Sequence, residues 1–249
     1  MGYRIFLAGA AGAVGRRLIP LLLGAGHSVA GTTRSAARAG ELKALGVEPV
    51  MVDVFDARAL SAAVAAAGPE IVIHQLTDLP PGVDPARMAE AITGNARIRD
   101  EGTRNLVAAA MAAGARRLVA QSIAWAYADG PEPHREEDAL DIGAEGARAI
   151  SVGGVIALER HVLKSPLGGV VLRYGRLYGP GTGVDAPPAS MPLHVDAAAH
   201  AALLAIEGPS GIFNIAEPGA RLATDKARIL LGWHADFRLP LGGVRETAP

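Results

Sequence analysis

The 249-residue chain has no cysteine, few aromatic residues and no strong excess of charge of either sign. Without cysteine there is no disulfide framework, no thiolate metal site and no cysteine nucleophile. The net charge of −1 does not point to nucleic acid or to an anionic membrane surface. No apolar run approaches the length of a membrane span, and a strand begins at Arg4, which leaves no room for a signal peptide. We therefore expect a soluble cytoplasmic protein without nucleic-acid or membrane partners.

Short apolar runs alternate with longer helical patterns along the chain, which is typical of β-α units in a parallel sheet. Strands are predicted at Arg4–Ala8, Ser28–Thr32, Val50–Val52, Ile71–His74, Arg117–Gln121, Gly169–Arg173 and Gly211–Ile215. Helices are predicted at Val14–Leu23, Ala36–Leu45, Ala57–Ala67, Pro85–Ala113, Ala144–Lys164 and Ala197–Ile206. Since proline and glycine sustain neither a helix nor a central strand, Tyr178–Pro192 is predicted to be a mobile loop.

A glycine-rich loop follows the first predicted strand and opens the first predicted helix. Its glycines are Gly9, Gly12 and Gly15. The first permits a tight turn, the second lets the backbone approach a pyrophosphate, and the third lets the helix pack closely on the strand. The free N–H groups of the helix then face the anion. This context indicates a dinucleotide-binding site rather than an ordinary turn.

Further segments follow the loop in a familiar order and spacing: Val52-Asp53, Ile71–His74, Glu101–Leu106, Leu172–Tyr174, Leu177–Gly181 and Leu193–Asp196. Together they resemble the epimerase/dehydratase branch of the extended short-chain dehydrogenase/reductase family across nearly the whole chain. The resemblance implies an α/β fold with a Rossmann-type, doubly wound, seven-stranded parallel sheet. It implies a dinucleotide-binding domain over residues 1–176 and a reduced substrate-binding region over 177–249, interleaved with the last strand at 211–216.

The resemblance also implies which residues contact the cofactor: Gly9, Ala11, Gly12, Ala13, Val14, Gly15, Thr33, Arg34, Ser35, Asp53, Val54, His74, Gln75 and Leu76. An acidic residue at the end of the second strand would select NAD, and the chain has none there. Arg34 stands where the 2′-phosphate of NADP would lie, so NADP is favoured over NAD, with a solvated loop arginine as the alternative. Asp53 either contacts the adenine amino group or caps the following helix.

The family's catalytic pair, a tyrosine followed four residues later by a lysine, is absent. The chain has three lysines, Lys43, Lys164 and Lys226, and none of them follows a tyrosine at that spacing. Alignment of the matching helix places Ser151 at the tyrosine position and Val155 at the lysine position. The usual catalytic serine or threonine position falls on Ile123. Several changes at one site favour altered chemistry over a single accidental loss.

Three hydroxyl groups are candidate replacements for the missing proton donor. Tyr127 follows the strand whose end faces the nicotinamide in this topology, and the alternative is a packed aromatic residue. Ser122 is next to Ile123, which occupies the family's serine or threonine position. Ser151 is a weak acid without an adjacent base. We expect the nearby cation Arg99 to lower the pKa of Tyr127, so Tyr127→Phe should slow a reductase more than Ser151→Ala.

The candidate substrate-binding residues are Arg99, Arg173, Tyr178 and His194. Arg99 stands at the family's asparagine position, three residues before the Gly102-Thr103 pair, which the resemblance places near the nicotinamide. Arg173 and Tyr178 lie at the end of the sixth strand and beside the predicted loop, and His194 lies just before a helix. Asp196 is interpreted as a helix N-cap. The family normally has some tens of residues between the last strand and a segment that resembles Ala227–Trp233, whereas here only Glu217–Lys226 intervenes. The resemblance therefore implies a small substrate cap that is poorly suited to a nucleotide sugar. No two histidines or carboxylates have a convincing metal spacing, so we expect no metal.

Three functions are compatible with these residues. The first is an atypical NADP(H)-dependent oxidoreductase acting on a small carbonyl-type substrate. The second is a non-catalytic NADP(H)-binding sensor or partner-binding protein, and the third is an epimerase or lyase that retains its cofactor. We also expect a homodimer formed through the helices at Pro85–Ala113 and Ala144–Lys164, where the adjacent glycines Gly153 and Gly154 suggest a close approach of another backbone.

Overall fold

Seven parallel strands form the central sheet of the computed structural model, which describes residues 2–79 and 87–240. The strands lie in the order β3-β2-β1-β4-β5-β6-β9. They are β1 (Arg4–Ala8), β2 (Ser28–Thr33), β3 (Glu48–Met51), β4 (Ile71–His74), β5 (Arg117–Ile123), β6 (Gly168–Tyr174) and β9 (Gly211–Ile215). Between β6 and β9, the short strands β7 (Arg176–Tyr178) and β8 (Pro192–His194) form a separate parallel pair.

Helices cover both faces of the sheet. They are α1 (Ala13–Gly24), α2 (Ala36–Ala44), α3 (Ala57–Ala67), α4 (Met88–Arg97), α5 (Thr103–Ala112), α6 (Gly146–Leu163), α7 (Val195–Leu204) and α8 (Asp225–Leu231). A π-helical turn, Ile98–Gly102, joins α4 to α5, and a 3₁₀ turn, Ala124–Ala126, follows β5. None of the helices in the described ranges is both long and apolar enough to cross a membrane.

The core consists largely of aliphatic side chains because both sheet faces are covered. Strand β4 is buried along its whole length, whereas the edge strand β3 exposes Glu48 and Met51. One layer of the core lies between the sheet and helices α1 and α7, and the other lies under α3, α5 and α6. Helix α7 is rich in buried alanine, and small side chains let it pack closely on α1.

The predicted strands and helices are all present, with shifts of a few residues at their ends. The long helix predicted at Pro85–Ala113 is divided by the π-helical turn, and Pro85 lies outside the described residues. Strands β7 and β8 and helix α8 were not predicted, because each is short. The predicted loop corresponds to the connection between β7 and β8, and its mobility stays a prediction.

The cap at the start of α7 differs from the expectation. His194, not Asp196, is the N-cap residue, and its Nδ1 accepts the backbone N–H of Asp196 at 3.2 Å. The Asp196 carboxylate instead accepts hydrogen bonds from the Arg17 guanidinium on α1, at 2.5 and 3.2 Å, and from the backbone N–H of Leu239 at 3.0 Å. The interpretation of Asp196 as a cap is therefore wrong, because the acid lies two residues beyond the N-cap and its carboxylate connects α7 to α1.

Candidate functional site

The glycine-rich loop between β1 and α1 has no room for a side chain at Gly9 or at Gly15. Gly9 has a φ of 89°, and a Cβ atom there would lie 2.5 Å from the carbonyl oxygen of Gln75. A Cβ on Gly15 would lie 2.3 Å from the carbonyl oxygen of Gly9. Gly12 is the N-cap of α1, and no side chain within the described ranges caps that helix end. The first N–H groups of α1 are thus left for an anion, which is the arrangement that a dinucleotide pyrophosphate requires.

A cleft opens above this loop. Nine of the expected cofactor residues line it: Gly9, Ala11, Gly12, Thr33, Arg34, Asp53, Val54, Gln75 and Leu76. The other five do not line the cleft: Ala13, Val14, Gly15, Ser35 and His74. Gly15 acts through close packing, and Ser35 caps α2 by accepting the backbone N–H of Arg38 at 3.5 Å. Ala13 lies across from Gly181 of the β7–β8 loop.

Two arginines lie at the adenosine end of the cleft, beyond β2. Arg34 is largely exposed, and its Nη2 lies 3.8 Å from Oδ1 of Asp78, a loose pairing that leaves the guanidinium accessible. Arg38, one helical turn later on α2, also lines the cleft. The sequence analysis missed Arg38, although its spacing of four residues from Arg34, across the Ser35 cap, was a usable signal.

Asp53 does not cap a helix. Helix α3 is capped by Asp56, whose Oδ1 accepts the backbone N–H of Ala59 at 2.9 Å. Asp53 Oδ1 instead accepts the backbone N–H of Phe55 at 2.9 Å, and Asp53 lines the cleft. Of the two roles left open for this carboxylate, the structure rules out the helix cap.

His74, at the end of β4, holds the backbone beside the cleft. Its Nδ1 accepts the N–H of Leu76 at 3.2 Å, so Nε2 carries the proton and donates it to Thr103 Oγ1 at 3.1 Å. Burial, followed by the positive charge of Arg99, lowers the pKa of His74 to about 4. The neutral ring therefore positions the Gln75-Leu76 turn. In that turn Gln75 Oε1 is buried and has no hydrogen-bond partner among the described residues, which leaves an acceptor available to a ligand.

An apolar cluster fills the place of the family's catalytic residues. Ile123, Ala126, Val152 and Val155 pack together, with Trp125 and Leu140 against them. Val155, at the position of the missing lysine, is fully buried. Ser151, at the tyrosine position, is partly buried, and its hydroxyl makes no hydrogen bond to any described residue. No proton donor with a lowered pKa stands at this point in the described structure.

Tyr127 and Ser122 belong to a buried polar network instead. The Tyr127 hydroxyl donates to Asn214 Oδ1 at 2.7 Å and accepts from Arg173 Nη1 at 2.7 Å. Ser122 Oγ donates to Glu159 Oε1 at 3.1 Å. Burial raises the pKa of Tyr127 and outweighs the opposing effect of the Arg173 charge. The expected lowering by Arg99 is therefore wrong, because the cation beside Tyr127 is Arg173 and the ring is desolvated.

Arg173 is fully engaged inside the protein. Its guanidinium forms a two-point ion pair with Glu159, with Nε–Oε1 and Nη2–Oε2 distances of 2.9 and 2.7 Å. Nη1 reaches the Tyr127 hydroxyl and the carbonyl oxygen of Glu136. Arg173 is 3% exposed, which contradicts its expected role in substrate binding. Glu136 also holds β9 in place, accepting the backbone N–H of Asn214 at 2.8 Å.

Tyr178 and His194 lie edge to face with their ring centroids 5.1 Å apart. The Tyr178 hydroxyl donates to Glu217 Oε1 at 2.6 Å and accepts from Arg238 Nη2 at 3.2 Å. Burial and the Glu217 carboxylate raise the pKa of Tyr178. Since Nδ1 of His194 caps α7 and the Tyr178 hydroxyl is engaged twice, both residues hold the β7–β8 region in place, and the structure supplies no direct support for their expected contact with substrate.

Arg99 contrasts with the engaged Arg173. It lies in the π-helical turn, is partly buried, and forms no ion pair or side-chain hydrogen bond with any residue in the two described ranges. Burial lowers its pKa to about 10.

The described residues contain no group of three or more metal-ligating side chains.

Comparison with known proteins identifies the family. The sequence pattern described as NAD(P)H-binding matches residues 9–186. A 3-diazoavenalumate denitrifying reductase from a Streptomyces species is 44% identical over 231 aligned residues, which cover 82% of this chain and 72% of the relative.

Two solved structures with the same fold are similar at lower identity. The Bordetella bronchiseptica enzyme WbmG in complex with NAD gives a TM-score of 0.72 at 22% identity, over 96% of this chain and 91% of that chain. UDP-glucose 4-epimerase from Thermotoga maritima gives a TM-score of 0.74 at 17% identity, over 94% of each chain. The chain is therefore an NAD(P)-binding, oxidoreductase-like member of the NAD(P)H-binding family, and it shares the fold of these two solved enzymes, as the resemblance predicted.

Proposed function

We propose that this protein is an NADPH-dependent reductase that replaces the diazo group of an aromatic carboxylate with hydrogen. The observation that carries the proposal is the apolar cluster of Ile123, Val152 and Val155 in the place of a proton-delivering tyrosine and lysine. The relative at 44% identity, whose name states that it is a denitrifying reductase of a diazo compound, supplies the reaction class.

The proton balance of the two candidate reactions differs. Reduction of a carbonyl leaves an alkoxide, which an acid must protonate. When bound, the reduced nicotinamide supplies a hydride to the electrophilic carbon of the substrate. For a diazonium substrate, one C–H bond then forms, the C–N bond breaks, and its electron pair leaves with N₂. The substrate is reduced by two electrons and no proton is consumed, so the engaged Tyr127 and the partly buried Ser151 have no acid role to fill.

The residues around the cluster suit a reactive aromatic substrate. Trp125, partly buried beside Ile123, offers an aromatic face, and the Arg176 guanidinium lies 4.9 Å from its ring centroid. Apolar walls exclude water, which would otherwise compete for a diazonium carbon. The protein would thus act by positioning and by keeping the site dry, and positioning alone can lower a barrier by several kcal/mol, on the order of 7–11 in favourable cases.

The preference for NADPH rests on Arg34 and Arg38. Both line the adenosine end of the cleft, and β2 ends without an acidic residue that would bind the ribose hydroxyls. A guanidinium binds phosphate through a two-point hydrogen-bonded contact, so the pair provides a site for the 2′-phosphate that distinguishes NADPH from NADH.

The reaction is tested with diazotised amino-hydroxycinnamate and NADPH deuterated at the transferred position. We expect one deuterium in the denitrogenated product and one N₂ for each NADPH oxidised. A single-turnover rate that is unchanged in Tyr127→Phe and Ser151→Ala is also expected, which replaces the ranking drawn from the sequence. If the protein reduced simple aldehydes or ketones but did not convert the diazo substrate, the proposal would be overturned and a carbonyl reductase would be indicated. Tight NADPH binding without turnover of either the diazo or the carbonyl substrates would overturn the proposal and indicate the non-catalytic sensor.

We also propose a homodimer through α4, α5 and α6, although only Gly153 of the two adjacent glycines supports it. A Cβ on Gly154 would lie 2.8 Å from Cα of Ala96 in the same chain, so the close approach is intramolecular. A Cβ added to Gly153 would have no atom of the described residues within 4 Å, and Gly153 is exposed, like the nearby Ile150. Light scattering at micromolar concentration tests the dimer, and a monomer would refute it.

A further inference from the structure

Arg99 is a cation in the turn beside the carboxyl end of β4, and it has no counter-charge among the residues that the structure describes. It precedes Thr103 by four residues, so the two side chains leave the same side of the helical segment. Thr103 contacts His74, the last residue of β4, at 3.1 Å, and the charge of Arg99 acts on the same imidazole. The π-helical turn that carries Arg99 is therefore held beside the β4 end of the sheet, on the far side of β1 from Arg34 and Arg38.

The acidic neighbours of Arg99 already have other partners. Asp100 Oδ1 lies 2.8 Å from His161 Nε2 on α6, and Glu101 accepts the Arg97 guanidinium at 2.7 Å. Arg99 forms no ion pair or side-chain hydrogen bond with any other residue that the structure describes. A partly buried cation without an acceptor is unfavourable, and an anionic ligand would relieve that penalty.

The cofactor phosphates have binding groups elsewhere in the cleft. The N-terminus of α1 faces the pyrophosphate, and Arg34 and Arg38 face the adenosine end. Because β4 lies on the opposite side of β1 from β2, the groups beside its end face the nicotinamide half of a bound dinucleotide. An anion at Arg99 would accordingly belong to the substrate and not to the cofactor.

We infer that Arg99 binds the carboxylate of the substrate and so orients the diazo-bearing ring over the apolar cluster of Ile123, Val152 and Val155. This inference rests on the proposed function for the identity of the ring substituent, but the carboxylate contact itself requires only that the cleft accept an aromatic acid. A guanidinium pairs with a carboxylate through two parallel hydrogen bonds, which sets the orientation of the bound acid as well as its affinity.

Binding without chemistry tests the inference. The probe is para-hydroxycinnamate, which carries the carboxylate and no diazo group, titrated by calorimetry into the NADP⁺-loaded protein. We expect Arg99→Gln to weaken its binding by at least tenfold and Arg99→Lys to restore part of the loss, in line with a charge-assisted contact. The uncharged para-hydroxycinnamamide should bind the parent protein more weakly and be indifferent to Arg99→Gln.

The exposed Arg104, on the next helix, provides the matched control, because Arg104→Gln removes the same charge from an exposed position. NADPH affinity should be the same in the parent, Arg99→Gln and Arg104→Gln proteins. Equal weakening of acid and amide by Arg99→Gln would overturn the carboxylate contact, and so would a loss of NADPH affinity, which would assign Arg99 to the cofactor. Failure of the diazo reaction with these binding results intact would refute only the proposed function.

Discussion

The cleft above β1 and β2 and the polar network under β5 and β6 differ in how far their polar groups are hydrogen-bonded within the protein. The lining of the cleft includes the backbone of the glycine loop and the exposed Arg34 and Arg38, and Arg34 has only a loose pairing with Asp78 among the described residues. In the network, the charged and hydroxyl groups of Glu159, Arg173 and Tyr127 are all used internally. The difference shows that charge in a family's catalytic region does not by itself indicate catalysis, since these groups hold the sheet and α6 together.

The largest effect is expected where the network is broken on one side. Arg173→Met leaves Glu159 buried without a counter-ion, and we expect a loss of about 3–5 kcal/mol in the free energy of unfolding, measured by urea denaturation. The double variant Arg173→Met/Glu159→Leu removes both charges and should recover much of that loss. If Arg173→Met were as stable as the parent, the ion pair would not be structural and the contrast between the two regions would fail.

A pH effect of similar size is expected at His74, on the border between the regions. Its pKa of about 4 in the folded protein lies below the ordinary value of 6.5, so the unfolded chain binds the proton more readily. The contribution is complete above pH 6.5 and is lost as the pH falls towards 4, amounting to about 3 kcal/mol.

The measurement is the free energy of unfolding across that pH range, for the parent and for His74→Asn, whose amide can keep the contact with the N–H of Leu76. The variant should show a flatter profile. The exposed side chain Arg58 offers a charge-changing control, because Arg58→Gln should leave the profile unchanged. Identical slopes for His74→Asn and the parent would assign the acid sensitivity to other groups.

In the cleft, the largest expected effect is on cofactor choice. Arg34→Ala should weaken NADPH binding by about 1.5–3 kcal/mol, tenfold or more, and leave NADH binding nearly unchanged. Arg38→Ala should act in the same direction, with the double variant binding both cofactors alike. Fluorescence titration measures these affinities, with Arg58→Ala as the control on α3. Equal affinities for NADPH and NADH in the parent protein would contradict the NADP assignment.

The adjacent glycines on α6 provide the smallest and most closely matched comparison. Gly154→Ala places a Cβ 2.8 Å from the backbone of Ala96, so about 1–3 kcal/mol of stability should be lost. Gly153→Ala meets nothing within 4 Å and should stabilise the helix by up to about 1 kcal/mol. Thermal unfolding measures both. Destabilisation of the dimer by Gly153→Ala alone would place that residue in a subunit interface.

The sequence was most informative where function depends on backbone and least where it depends on side-chain partners. The spacing of Gly9, Gly12 and Gly15 predicted the dinucleotide loop because the backbone of a tight strand-to-helix turn requires glycine at these positions. The expected roles of Tyr127 and Arg173 could not be judged in this way, since Asn214 and Glu159, their partners, are remote in sequence or on another element. Arg38 was missed although its spacing was informative.

The sequence by itself determined the seven strands of the sheet and the helices between them, the dinucleotide loop and the absence of a tyrosine-lysine pair, because periodicity, glycine spacing and residue identity are local properties. Only the tertiary structure decided which charges are satisfied. In the tertiary structure Arg173 pairs with Glu159 and Asp196 pairs with Arg17. Arg99 has no acceptor among the described residues. The physical reason is that desolvation and ion pairing depend on which groups meet in space, and residues far apart in the chain supply those groups.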